Sequence, residues 1–311
     1  MASGDKLRIK QENKRYKAMA FAGCSFTWGQ GLWNYANLDS VVEDSPHGYS
    51  PWFYNTVHHE FRKKFRWATM VADHFDTVAI THYKNGGAND QIVDYWNNCF
   101  EHDRPQRVRN SDVRGPNGDV DPFGTIETRP LKFSDISHFV YQFTYWHRSA
   151  IELFVDEQYQ MVNIGATWDI DKRPWFNEAY QKWVRIKHPE FGDSPDAKFH
   201  ESIIRRDIAQ VKDLLMKLEN NGIKTAIWSW PRNHVPYIME DPWLKERYIK
   251  FEYKDKTYNY LEALLDEHRL TIEHDYDYFE VPPPDGHPGL ACQKIIAEHV
   301  IDFIERQNNE K

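Results

Sequence analysis

Three short segments of the chain carry side chains able to do chemistry. Gly23-Cys24-Ser25-Phe26-Thr27-Trp28-Gly29 places a hydroxyl and a thiol in a turn bounded by glycines. A serine held this way is a candidate nucleophile, and its own backbone N–H can stabilise a developing oxyanion. The alternative is a serine that only caps a helix. Asn85-Gly86-Gly87-Ala88-Asn89-Asp90 offers backbone N–H groups at a glycine turn, with the Asn89 amide as a further donor. Its alternative is an ordinary turn with Asn89 or Asp90 as N-cap. Pro282-Pro283-Pro284-Asp285-Gly286-His287-Pro288-Gly289 fixes His287 on a loop stiffened by proline. A neutral imidazole there can take a proton from a hydroxyl, with Asp285 orienting it. A solvent-exposed turn histidine is the other reading.

The elements that must position these segments alternate between strand and helix. Ala18–Ala22 is a continuous apolar run, as expected of a strand buried in a parallel sheet. The patterns predict a helix over 67–75, a strand over 77–80, a helix over 90–100 and a strand over 137–144. A long helix is expected from Ala197 to Asn220, its stripe formed by Ile203, Ile204, Ile208, Val211, Leu214, Leu215 and Leu218. Asn221-Gly222 caps it, and the strand Lys224–Trp228 follows. Leu270–Ile272 reads as another strand, and a last helix runs from after Pro288 towards Ile304. The expectation is an α/β fold, a doubly wound three-layer sandwich with a central parallel sheet of flavodoxin-like type. Residues 1–17 read as a polar tail and 18–307 as a single domain with insertions near 33–65, 101–135 and 155–200.

Gly-x-Ser after the first strand, Gly-Gly-x-Asn after the second and Asp-x-His before the last helix together resemble the SGNH (GDSL-like) hydrolase family. The resemblance runs from Ala18 to Ile304. It implies a serine-type ester hydrolase working through an acyl-enzyme, with neither metal nor cofactor. Ser25 would be the nucleophile, and the N–H groups of Ser25 and Gly86 would form the oxyanion hole. His287 would be the general base, and Asp285 its partner. The chain departs from the family pattern at three points: Cys24 replaces the usual Asp, the Asp-to-His spacing is one residue short, and no Asn follows the third strand. Asn89 is therefore expected to supply the missing donor, with Cys24, Thr144 and Arg148 lining the site. This combination looks like a divergent branch seen in tailed-phage and environmental sequences. A thiolate at Cys24 is an alternative nucleophile; the family register instead makes it a buried, inert thiol.

Composition narrows the remaining classes. A net charge of −8 argues against a general nucleic-acid binder, and Arg62, Lys63, Lys64 and Arg66 read as the solvated side of a helix. The 12 Trp, 17 Tyr and 18 Phe fill a core or line a groove. If Trp33, Tyr54, Trp168, Trp175 and Trp183 wall the cleft, a carbohydrate O-acyl ester is the preferred small-molecule substrate. The three cysteines form no CxxC, and His58-His59 and His274–Asp277 lack the spacing of a dedicated metal site. Gly29-Gln30-Gly31 is followed by Asn34 where a dinucleotide loop needs glycine. The N-terminal residues lack an apolar centre and no window is long enough to span a bilayer, which points to a soluble cytoplasmic or virion-associated protein without membrane partners. The oligomeric state is left open, and the competing function is a binding or structural module that kept the fold and lost the rate.

Overall fold

The computed structural model describes residues 18–29, 32–35, 61, 64–83, 88–101, 108–109, 126–127, 132–148, 150–155, 158–163, 174–192 and 195–309. Strand β1 (Ala18–Gly23) runs into the short helix α1 (Ser25–Trp28), and α2 (Trp67–His74) leads to β2 (Ala79–Tyr83). Helix α3 (Asn89–Glu101) precedes the strand pair β3 (Val108–Arg109) and β4 (Ile126–Glu127), then β5 (Ile136–Phe143). A hairpin of β6 (Ala150–Val155) and β7 (Gln158–Asn163) is followed by α4 (Pro174–Lys187), α5 (Pro195–Asn220) and β8 (Lys224–Ser229). The rest comprises α6 (Val235–Glu240), α7 (Pro242–Glu246), the hairpin β9 (Phe251–Tyr253) and β10 (Lys256–Tyr258), α8 (Leu261–His268) and α9 (Leu290–Asn309).

The central sheet is parallel and ordered β2-β1-β5-β8. Strand β1 is buried on both faces, which is why it needs no polar residue. Met19 and Phe21 pack with Val140, Trp228 and the apolar sides of α2 and α9, while Ala20 and Ala22 face α3 and α5. Five residues of the α9 stripe, Ile295, Ile296, Val300, Phe303 and Ile304, are buried on the first face. Each such side chain contributes about 1.5–3 kcal/mol over leaving it in water. The result is a four-stranded parallel sheet between two helical layers. The chain leaves β1 towards β2 and then crosses to β5 on the other side. That reversal falls between β1 and β5, and open α/β sheets bind ligands outside the carboxyl ends of the strands at such a point.

The long helix ends as expected. Gly222, at φ +79°, donates its N–H to Glu219 O at 2.9 Å, and Ile223 N–H reaches Leu218 O at 3.1 Å. Other expectations change. Leu270–Ile272 forms no sheet strand: Thr271 makes an isolated bridge to Pro288, and Ile272–His274 is one 3-10 turn. The backbone there is instead bonded to the His287 loop. Arg66 is buried rather than solvated, its Nε donating to Thr69 Oγ1 at 2.9 Å at the start of α2. The 155–200 stretch, expected as an insertion, contains β7, α4 and the start of α5. Trp183 on α4 packs edge-on against Phe199 of α5. Tyr54 and Trp168, and the side chains of Trp33 and Trp175, lie outside the described residues. Among the described residues no helix is long and apolar enough to cross a membrane.

Candidate active site

The turn after β1 is gripped from the neighbouring strand. A Cβ at Gly23 would lie 2.1 Å from Thr27 Oγ1 and 2.7 Å from Gln142 Oε1, so only glycine lets the chain pass this close. Gln142, buried near the end of β5, donates from Nε2 to Cys24 Sγ at 3.2 Å and accepts from Thr27 Oγ1 at 2.5 Å. Thr27 N–H closes the turn on Cys24 O at 3.0 Å. Ser25 is the first residue of α1, held between the two residues that Gln142 bonds. Its side chain lies outside the described part of the structure, as does the whole of Gly86. Cys24 is fully buried.

The His287 loop is tied to the chain ahead of it by three backbone bonds. Ile272 N–H reaches His287 O at 2.9 Å, Glu273 N–H reaches Asp285 O at 3.0 Å, and Gly289 N–H reaches Leu270 O at 2.9 Å. Gln293 anchors the following helix by accepting from Trp67 N–H at 2.9 Å. Within this loop, Asp285 Oδ1 lies 2.5 Å from His287 Nδ1 and also accepts the His287 backbone N–H at 3.0 Å. The short Asp-x-His spacing therefore still forms the pair, because the loop folds the carboxylate back onto the ring of the residue two positions on. A proton on Nδ1 directs Nε2 away from Asp285. The pair is mostly buried, with side-chain exposures of 20% for His287 and 14% for Asp285. That partial burial strengthens the attraction over a fully solvated pair.

An aromatic framework joins this loop to the end of β5. The His287 ring lies 4.9 Å from the Phe26 ring, and Phe26 stacks on Trp230 at 3.5 Å. Phe26 is the residue after Ser25, so the stack brings the His287 loop to the turn that carries the serine. Trp230 Nε1 donates to Tyr145 Oη at 2.8 Å, and Tyr145 donates to Glu262 at 2.6 Å. Burial, reinforced by the Glu262 carboxylate, holds the Tyr145 phenol well above its ordinary range. Arg148 lies over the Tyr145 ring, 5.4 Å from its centroid, and donates to Thr144 Oγ1 at 2.8 Å.

Asn89 sits elsewhere than expected. It is fully buried at the start of α3, and its Nδ2 donates to Thr144 O at 3.1 Å and Asp207 Oδ2 at 3.0 Å. Its Oδ1 accepts from Thr144 N–H at 3.0 Å and Tyr141 Oη at 3.2 Å. Both amide hydrogens are thus committed to the protein, and this arrangement leaves none for a substrate oxyanion. The amide instead replaces a missing ladder rung, bonding both backbone groups of Thr144 just past the end of β5. Asp207, also fully buried, is flanked by Arg206 Nη2 at 3.3 Å and His234 Nε2 at 3.6 Å. Thr144 is buried and Arg148 half-buried beside this network.

The structure thus brings together Asp285 and His287, places the His287 ring beside Phe26, and gathers Cys24 with Gln142 and Arg148 with Thr144. It takes Asn89 to the opposite face of the sheet. Gln142, Asp207 and His234 carry this arrangement and were not singled out from sequence. Two of them left a signal: Gln142 is a polar residue inside the apolar run of β5, and Asp207 falls on the apolar stripe between Ile204 and Ile208. No family model, curated protein or solved structure matches the chain.

Proposed function

We propose that the chain is a serine-type ester hydrolase of the SGNH kind, with Ser25 as nucleophile, His287 as general base and Asp285 as the group that orients it. The observation that carries the reading is the 2.5 Å Asp285–His287 contact, on a loop whose His287 ring lies against Phe26, the residue after Ser25 in the turn that follows β1. In this mechanism Ser25 Oγ attacks the ester carbonyl and passes its proton to His287 Nε2. The oxyanion is held by the backbone N–H groups of Ser25 and Gly86. The proton then moves from His287 to the departing alcohol oxygen, leaving an acyl-serine. Water attacks that ester, giving its proton to His287; as the second tetrahedral intermediate collapses, His287 returns that proton to Ser25 Oγ, and the acid and free serine are released. Asp285 keeps the ring in the tautomer that presents a lone pair at Nε2.

The test is covalent labelling. A fluorophosphonate should modify Ser25, located by peptide mass spectrometry, and a short-chain p-nitrophenyl ester should be turned over. Ser25→Ala and His287→Ala should each lower kcat by about a thousandfold or more, and Asp285→Asn by about a hundredfold or more. Wild-type protein that neither labels at Ser25 nor exceeds the Ser25→Ala rate refutes the proposal. The second reading, a binding module without turnover, is favoured by the commitment of the Asn89 amide, which removes one oxyanion donor. Normal folding with neither labelling nor turnover would select it.

A further inference from the structure

The proposed chemistry leaves the kind of ester open, and Arg148 bears on it. The residue is partly buried in the turn just past the carboxyl end of β5, the strand paired with β1 in the sheet. Both of its supports are neutral, the Thr144 hydroxyl and the face of the Tyr145 ring. Two other arginines of this acidic chain, Arg206 and Arg247, lie against carboxylates, of Asp90 and Asp207 and of Glu219. Among the described residues Arg148 has no such partner. The acid on its framework, Glu262, is taken by the Tyr145 hydroxyl instead. Thr144 is in turn fixed through both backbone groups by Asn89, so the hydroxyl that holds Arg148 is itself rigidly placed. Withdrawing a cation from water is unfavourable unless an anion completes its shell. A planar guanidinium with four of its five N–H groups not bonded to Thr144 suits the two oxygens of a carboxylate.

The geometry points to Arg148 as a specificity-determining residue: the substrate is an ester whose acyl or alcohol part carries a carboxylate close to the scissile bond. This rests on the ester-hydrolase reading, and the test separates the two. The mono-4-nitrophenyl ester of succinic acid and 4-nitrophenyl acetate would be compared as kcat/KM, each normalised to its rate in alkali. The wild type should prefer the anionic ester, and added salt should erode that preference. Arg148→Gln should reduce the anionic-to-neutral ratio by about 10- to 100-fold, the range of a charge-assisted hydrogen bond. Arg148→Lys, which keeps the charge and loses the fork, should retain part of the ratio. Binding of monomethyl succinate to Ser25→Ala, followed by NMR titration, needs no turnover and should weaken similarly when Arg148→Gln is added. Anion binding that depends on Arg148 without any esterase activity would sink the hydrolase and keep the anion site. Turnover of both esters at one normalised rate, unchanged in ratio by Arg148→Gln, would overturn the anion site and keep the hydrolase.

Discussion

Replacing Asn89 by alanine removes one side chain and five hydrogen bonds, the longest of them to His234 Nε2 at 3.4 Å, at a point that water does not reach. Thr144 loses the partners of both its N–H and its C=O, and Asp207 loses its shortest donor, at 3.0 Å. Tyr141 keeps a bond to the Asn89 backbone oxygen at 3.3 Å, so its loss is smaller. A buried polar group left without a partner costs about 1–3 kcal/mol. Two backbone groups and one weakened carboxylate then give about 3–5 kcal/mol of lost stability, at the high end for a single substitution. The measure is the urea midpoint at constant m. Asn89→Asp refines the test, because it keeps the shape and the acceptor for Thr144 N–H but sets a second carboxyl against Asp207. Burial and like charge raise the folded pKa of that introduced carboxyl above its unfolded value of about 4. Its contribution to stability is then full below about pH 4 and lost as pH rises, so the deficit against wild type should widen between about pH 4 and 7. If Asn89 were an oxyanion donor, Asn89→Ala would fold almost normally and lose kcat by about 10²–10³ instead. A stability loss below about 1 kcal/mol, or an Asn89→Asp deficit flat with pH, would refute the network argument.

Gly23→Ala should lower stability by about 1–3 kcal/mol and reduce ester turnover, because its Cβ would strike Thr27 Oγ1 at 2.1 Å. Adding Thr27→Ala removes the atom it strikes, so the double variant should be more stable than the sum of the two single losses; additive values would disprove the close approach. For Asp241, burial pushes the carboxyl up, but Lys212 at 2.5 Å and the backbone N–H groups of Leu244 and Trp243 outweigh it and hold it below the usual carboxylate range. A depressed pKa stabilises above the unfolded value, about 3.9, and that stability is lost as pH falls through the folded one. Lys212→Met should flatten acid unfolding below about pH 4 by about 1 kcal/mol or less, since both side chains are partly solvated; an unchanged acid limb would show the ion pair to be idle.

The elements were legible wherever the determinant was local. The apolar run of β1, the stripe of α5 with its Gly222 cap, and the Pro-flanked start of α9 all follow from neighbours within a few residues of each other. The Asp285–His287 pair was legible for the same reason, being two residues apart on a stiff loop. What could not be read depended on partners far along the chain. Gln142 acts on Cys24 and Thr27, over 100 residues earlier. Asp207 acts on Asn89, 118 residues away. Side-chain type showed that each was out of place in its apolar setting, but nothing local said what it would meet. Leu270–Ile272 shows the reverse error. Its β-type composition is real, but its backbone groups are engaged by the His287 loop rather than by an edge of the sheet, whose last strand is β8.

The two long-range grips act on the same short piece of chain from opposite sides. Gln142 lies on the α2–α9 face of β5 and fastens the turn that carries Ser25. Tyr141 lies on the α3–α5 face and, with Thr144, is fastened to Asn89 and through it to Asp207. Alternation along a strand produces this without further design: adjacent residues must point to opposite faces, so a polar pair at the strand end reaches both helical layers. A site held only from one layer would shift with that layer. Held from both, the end of β5 is set relative to α2, α9, α3 and α5 together, and catalytic groups tolerate displacement of only about 0.5 Å. Asn89 is fully buried at this junction, bonded to Thr144 and Asp207. Its contribution to chemistry would come through the position of Thr144 and Arg148 rather than through a bond to the reacting atoms.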